Sequence, residues 1–139
     1  MAKTTGEWHW GWVLDWARHP DVWIVPGRAE RQKPGAPKGE WGTTLRYYTP
    51  KIDAWHIVFV GPEYGNLNVF VAHQQGDEIV QEGTGTSGKP ARWIFSEITP
   101  NSFRWRDDVS DGGGKTWKLR EEMHVRRQAQ QTANHPTPP

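Results

Sequence analysis

Glu7-Trp8-His9-Trp10-Gly11-Trp12-Val13-Leu14-Asp15-Trp16 decides the fold. Every even position from Trp8 to Trp16 is Trp or Leu, while the odd ones are His, Gly, Val and Asp. Alternation with period two gathers the even side chains on one face of an extended strand. A helix would scatter the same indoles around its circumference. Four Trp on one strand face are more aromatic surface than a single sheet leaves in water. The simplest cover is the rest of the chain, curled into a barrel.

Working outward, Ala17 to Pro20 reads as a break, because proline cannot donate to a ladder. Asp21–Val25 resumes as a second strand, which Pro26 stops. Gly27–Glu40 is polar, rich in Gly and Pro and without periodicity. A loop of this length in a compact domain is functional or mobile. Seven further strands follow at Thr43–Tyr48, Ala54–Val60, Asn66–His73, Glu78–Glu82, Ala91–Phe95, Ser102–Asp107 and Thr116–Val125. Turn residues separate most of them at the spacing of an all-β meander. Nine such strands with short turns favour an up-and-down antiparallel β-barrel over an open sheet. The barrel domain is expected over residues 1–127, with 128–139 a flexible tail.

The parity that collects the apolar residues defines an expected inner face. From the first half it takes Trp8, Trp10, Trp12, Leu14, Trp16, Trp23, Val25, Leu45, Tyr47, Trp55, Ile57 and Phe59. From the second half it takes Leu67, Val69, Val71, Ile79, Trp93, Phe95, Phe103, Trp105, Trp117, Leu119, Met123 and Val125. Nine of the ten Trp fall on this parity, the strongest regularity in the sequence. Arg46, His56, Arg92, Arg104, Arg106, Lys118, Arg120, Glu122, His124 and Arg126 fall on the other, expected outer, face. A β-bulge would reverse the assignment beyond it. So many indoles resist packing without a void, so the interior is read as a pocket rather than a filled core.

Four polar residues share the inner parity: Glu121, Asp107, His73 and Gln81. The last three lie near the ends of their runs, where an inner face reaches water. Glu121 lies mid-strand between Leu119 and Met123 and needs another explanation, since a carboxylate on an apolar face is costly unless paired or neutralised.

Composition removes several function classes. The 139 residues carry 17 Lys plus Arg against 16 Asp plus Glu, too even a balance for a protein that neutralises phosphates. No apolar run has the length of a membrane span, and the first residues lack a signal-peptide core. No cysteine means no disulfide, thiolate metal site or Cys nucleophile. The six His form no metal-ligand spacing. The expectation is a cytoplasmic domain without cofactor or metal, with a homodimer as its candidate assembly. Gly83-Thr-Gly-Thr-Ser-Gly88 spells the dinucleotide fingerprint, but Lys89-Pro90 and a strand follow where that motif opens a helix. Ser110-Asp-Gly-Gly-Gly-Lys-Thr-Trp117 approximates a structural Asp-box turn.

Asp21-Val-Trp-Ile-Val-Pro26, Gly42-Thr-Thr-Leu-Arg-Tyr-Tyr48 and Trp55, with Trp93-Ile-Phe95, Ile98-Thr-Pro-Asn-Ser-Phe103-Arg-Trp105 and Gly114-Lys-Thr-Trp117, carry a resemblance. Over most of residues 8–126 the chain resembles a bacterial family of uncharacterised lipocalin-like (calycin) barrels. The resemblance implies an up-and-down barrel open at one end and no catalytic set. It also implies that the long Gly27–Glu40 loop covers or borders the mouth. Trp16 and His19-Pro20 depart from the family's pattern at the mouth end of the first strand, so the pocket's shape is expected to differ there.

Three functions compete. The first is binding of an apolar or aromatic small molecule by stacking and burial, on Trp8, Trp10, Trp12, Trp16, Trp23, Tyr47, Trp55, Phe59, Trp93, Phe103, Trp105, Trp117 and Met123. The second is a cofactor-free lyase, isomerase, cyclase or hydrolase in the same cavity. Glu121 would be its acid or base, supported by Asp107, His73 or Tyr47. The third is a carbohydrate-binding module with Trp platforms. No nucleophile–base pair is visible, which favours binding.

Overall fold

A computed structural model describes residues 3–11 and 18–129. Among these residues nine antiparallel strands form one sheet in sequence order: β1 (Glu7–Trp10), β2 (His19–Val25), β3 (Glu40–Thr49), β4 (Ala54–Gly61), β5 (Asn66–Gln75), β6 (Glu78–Thr84), β7 (Pro90–Ser96), β8 (Ser102–Val109) and β9 (Lys118–Arg126). Among the described residues helix is limited to α1 (Arg28–Arg31) and to two single 3-10 turns, Pro50–Ile52 and Pro62–Tyr64. The sheet curls into a half-barrel with the up-and-down strand order expected from the spacing of strands and turns.

Among the described residues β1 and β9 are edges, not a ladder pair. Side chains span the gap instead. Trp8 on β1 packs edge-on against Phe103 and Trp105 of β8, with centroids 5.6 and 6.3 Å apart. The Trp23 indole on β2 donates to the Met123 sulfur on β9 at 3.3 Å. Ring-to-ring contact thus replaces the hydrogen bonds that would complete the wall.

The core is a chain of aromatics across the interior. Phe70 meets Trp93 at 4.6 Å, Phe59 meets Trp93 at 5.4 Å, and Trp93 meets Trp105 at 5.7 Å. Edge-to-face and tilted geometries of this kind let electron-rich faces meet electron-poor edges. Glycine makes room for two of the rings. A Cβ on Gly42 would fall 2.6 Å from the Phe59 ring, and one on Gly83 would overlap Phe70.

Several local expectations need correcting. Pro20 does not break the chain: it sits within β2, and its carbonyl accepts from Gly11 N at 3.2 Å. The loop after β2 is tied down rather than loose. Arg31 donates to the Pro26 and Val25 carbonyls, and Glu7 accepts from Arg28 N at 2.7 Å.

The largest correction concerns parity. On β3 the inward side chains are Thr44 and Arg46 beside Gly42, while Leu45 and Tyr47 face outward. On β5 Asn68, Phe70 and Ala72 face inward, while Leu67 and Val69 are 60% and 54% exposed and Val71 shares their outer face. The apolar rule fails on these two strands because their inner faces carry the polar wall of a cavity. Leu119 also leaves the inner face, being exposed beyond a bulge in β9. Leu14 lies outside the described residues, as does the expected tail except for its first two residues. The glycine-rich 83–88 stretch is the β6–β7 hairpin, closed by Gly85 N to Lys89 O at 2.9 Å. Ser110 Oγ accepts from Gly112 N and Gly114 N and organises the next hairpin turn. No helix among the described residues is long and apolar enough to cross a membrane.

Candidate functional site

A cavity of about 420 Å³ lies inside the curl, toward the end that carries the β2–β3, β4–β5, β6–β7 and β8–β9 connections. Trp8, Trp23, Phe59, Trp93, Trp105 and Met123 supply its apolar wall. All six belong to the expected ligand-binding set. Beside Trp23 and Phe59, β3 supplies Glu40, Thr44 and Arg46, and β5 supplies Asn66 and Asn68. Thr86 and Ser87 of the β6–β7 turn stand at the rim, and Asp107, Arg120 and Glu121 complete the ring.

Asp107 and Glu121 are direct partners in the β8–β9 ladder. Asp107 pairs on its other side with Trp93. The bulge places Asp108 opposite Leu119, so Arg120 is the extra residue and turns back toward Asp107. Its Nε and Nη2 donate to Asp107 Oδ2 at 2.8 and 2.6 Å. Asp107 Oδ1 has no partner, nor have the indole N–H groups of Trp93 and Trp8, all three being buried. Glu121 accepts no hydrogen bond and joins no ion pair among the described residues.

The carboxyls respond to this setting. Burial raises the Glu121 pKa above its ordinary value, and the charges of Asp107 and Glu40 add to the rise against the opposing pull of Arg120. Burial also raises Asp107. Arg120 opposes that rise, Asp108 adds to it, and the nearby Trp93 indole pulls slightly down without meeting hydrogen-bond geometry. Glu40 is raised by burial as well, with the Asn66 amide at 2.6 Å pulling the other way and Glu63 adding.

Below Arg46 lies a fourth carboxylate, Asp21. Arg46 Nη1 donates to Asp21 Oδ2 at 2.5 Å, and both side chains are buried. Burial lowers the Arg46 pKa against the pull of Asp21, yet a guanidinium keeps its proton at neutral pH. Arg46 also lies over the Trp10 ring, 4.5 Å from its centroid. It therefore fixes the cavity floor as a paired cation.

The remaining expected site residues separate from this ring. Trp10 stacks on Trp8 at 5.0 Å and Phe103 packs behind Trp8, so both support the wall without lining it. Tyr47 faces outward beside His56, 5.2 Å between ring centroids, and offers no support to Glu121. Trp117 precedes β9 on the outside, under Arg92 at 3.8 Å. Its strand assignment fails because the Ser110-centred turn runs on to that point. Trp55 and His73 line a different, wider hollow of about 780 Å³ with Ile57, Ala72 and Ile79. His73 therefore cannot assist Glu121. Gln81 is 1% exposed in mid-strand rather than at a wetted end, and Asp107 is 4% exposed. Trp12 and Trp16 lie outside the described residues. Of the long loop, only its last residue, Glu40, reaches the cavity.

Sequence reading passes over Glu40, Thr44, Arg46, Asn66, Asn68 and Arg120. A signal was present: Glu40, Gly42, Thr44 and Arg46 alternate as regularly as their apolar neighbours. No family model, curated protein or solved structure matches this chain.

Proposed function

We propose that this protein binds one small, apolar or aromatic molecule in the Trp-lined cavity. The observation that carries the reading is an aromatic cavity of about 420 Å³ whose wall holds buried polar atoms without partners. Its volume is in the range of small-molecule sites, and apolar walls with a few convergent polar groups are their usual make-up. An occupant supplies what Trp8 Nε1, Trp93 Nε1 and Asp107 Oδ1 lack. The experiment is a titration with 1-aminoanthracene, a neutral aromatic dye, followed by energy transfer from the indoles. One saturable site supports the reading, and the lack of any saturable transfer contradicts it.

A second reading is catalysis without a cofactor, a lyase, isomerase, cyclase or hydrolase reaction in the same cavity. The specific support is Glu121, a carboxyl facing the cavity, raised by burial and by its ladder partner Asp107. Such a carboxyl suits proton transfer near neutral pH. Glu121→Gln keeps size and polarity and removes the proton. Turnover of a substrate should fall about a hundredfold or more with affinity kept; unchanged turnover leaves the binding reading alone.

A further inference from the structure

We infer that the ligand is a small aromatic molecule carrying a protonated nitrogen, its ring among Trp8, Trp93 and Trp105 and its N–H⁺ toward Asp107 and Glu121. The inference rests on the reading of this cavity as a binding site and specifies the chemistry of its occupant.

The charges around the cavity are unbalanced. Glu40, Asp107 and Glu121 line it, with Asp21 directly beneath, against the two guanidiniums of Arg46 and Arg120. Both guanidiniums are engaged: Arg46 with Asp21, and Arg120 with Asp107 Oδ2. Among the described residues no basic side chain bonds to Glu121 or Glu40. A buried carboxylate without a counter-charge is costly, and a cationic occupant supplies one.

Hydrogen bonding points the same way. Asp107, only 4% exposed, has Oδ1 unpartnered and calls for a donor. The buried Trp8 Nε1–H is unpartnered as well and calls for an acceptor on the same ligand. The indole faces attract cations through their quadrupole, more strongly where water is excluded. A carboxylate ligand would meet three acids, and a hydrocarbon would leave Asp107 Oδ1 and the indole donors unsatisfied. A protonated amine or amidine on a ring that also bears a hydroxyl answers each of these demands.

Three compounds of nearly equal shape test the charge: tyramine, its neutral isostere 4-propylphenol, and anionic 3-(4-hydroxyphenyl)propanoate. Calorimetric titration should give a tyramine Kd at least about tenfold below that of 4-propylphenol, as befits a desolvated cation over aromatic faces. The propanoate should be the weakest of the three. Glu121→Gln should bring tyramine and 4-propylphenol to within about threefold of each other, the contribution of Glu121 being removed. The wild-type ranking alone decides the sign of charge. If 4-propylphenol or the propanoate binds as tightly as tyramine, the cation inference falls and the aromatic site stands. If none of the three binds while 1-aminoanthracene does, the cation inference again falls alone. If the dye also fails to bind, the ligand-site reading falls with it.

Discussion

Glu121 stands directly opposite Asp107 in the β8–β9 ladder, and the bulge beside them gives Arg120 to Asp107 and not to Glu121. Two neighbouring carboxyls in one aromatic cavity thus share a single guanidinium, held by one of them. Burial and like charge then keep Glu121 protonated to higher pH than in the unfolded chain.

That shift fixes the sign of a pH effect. Between the ordinary Glu121 pKa of 4.5 and its raised folded value, the folded chain binds more protons than the unfolded one. Stability contributed by this group therefore declines as pH rises through that window. Asp107 and Glu40 are raised too and act in the same direction. Glu121→Gln should match wild type in thermal midpoint below pH 4.5 and exceed it at pH 7. A variant less stable than wild type at pH 7 would show that Glu121 is held as a stabilised carboxylate.

Asp21 and Arg46 behave differently, because their charges are compensated in place. Removing one leaves the other buried and alone. Asp21→Ala should cost about 3–5 kcal/mol in urea unfolding. The double replacement Asp21→Leu with Arg46→Met should recover most of that loss, since an apolar pair of similar volume often equals a buried ion pair. A double variant as unstable as the single would place the cost in packing rather than in charge.

The aromatic chain gives a third test. Phe70 is 1% exposed and lies between Gly83 and Trp93. Phe70→Ala should cost about 3–5 kcal/mol through lost burial and a residual void. Gly42→Ala acts from the other side, pressing a methyl into the Phe59 ring, and should cost about 1–3 kcal/mol. Loss of less than about 1 kcal/mol in both would mean that the interior repacks freely.

The strands were readable because turns and alternation are local properties. All nine appear, and Trp93, Phe95, Phe103, Trp105 and Met123 lie on the expected face. Facing could not be read on β3 and β5. There two regular alternations compete, one apolar and one polar, and hydrophobicity selects the wrong one when the interior is a polar-walled cavity. Arg46 falls to the solvent face in that reading for this reason, and Leu45, Leu67 and Val69 to the core. The bulge at Arg120 depends on pairing between strands, so no single run of sequence displays it. The Glu121–Asp107 pair was legible as two acids on one face, but their direct opposition follows from a register only the ladder fixes.

The central claim is that an aromatic molecule occupies the cavity itself. Ser87 lies at the exposed tip of the β6–β7 turn and lines the rim, so Ser87→Trp can cover the opening with little effect on folding. Titration of 1-aminoanthracene into wild type and Ser87→Trp, read by energy transfer from the indoles, is the most direct measurement. One saturable site in wild type, weakened about tenfold or more in Ser87→Trp at an unchanged thermal midpoint, is the expected result. Equal binding by both proteins would place the dye elsewhere on the molecule and contradict the account.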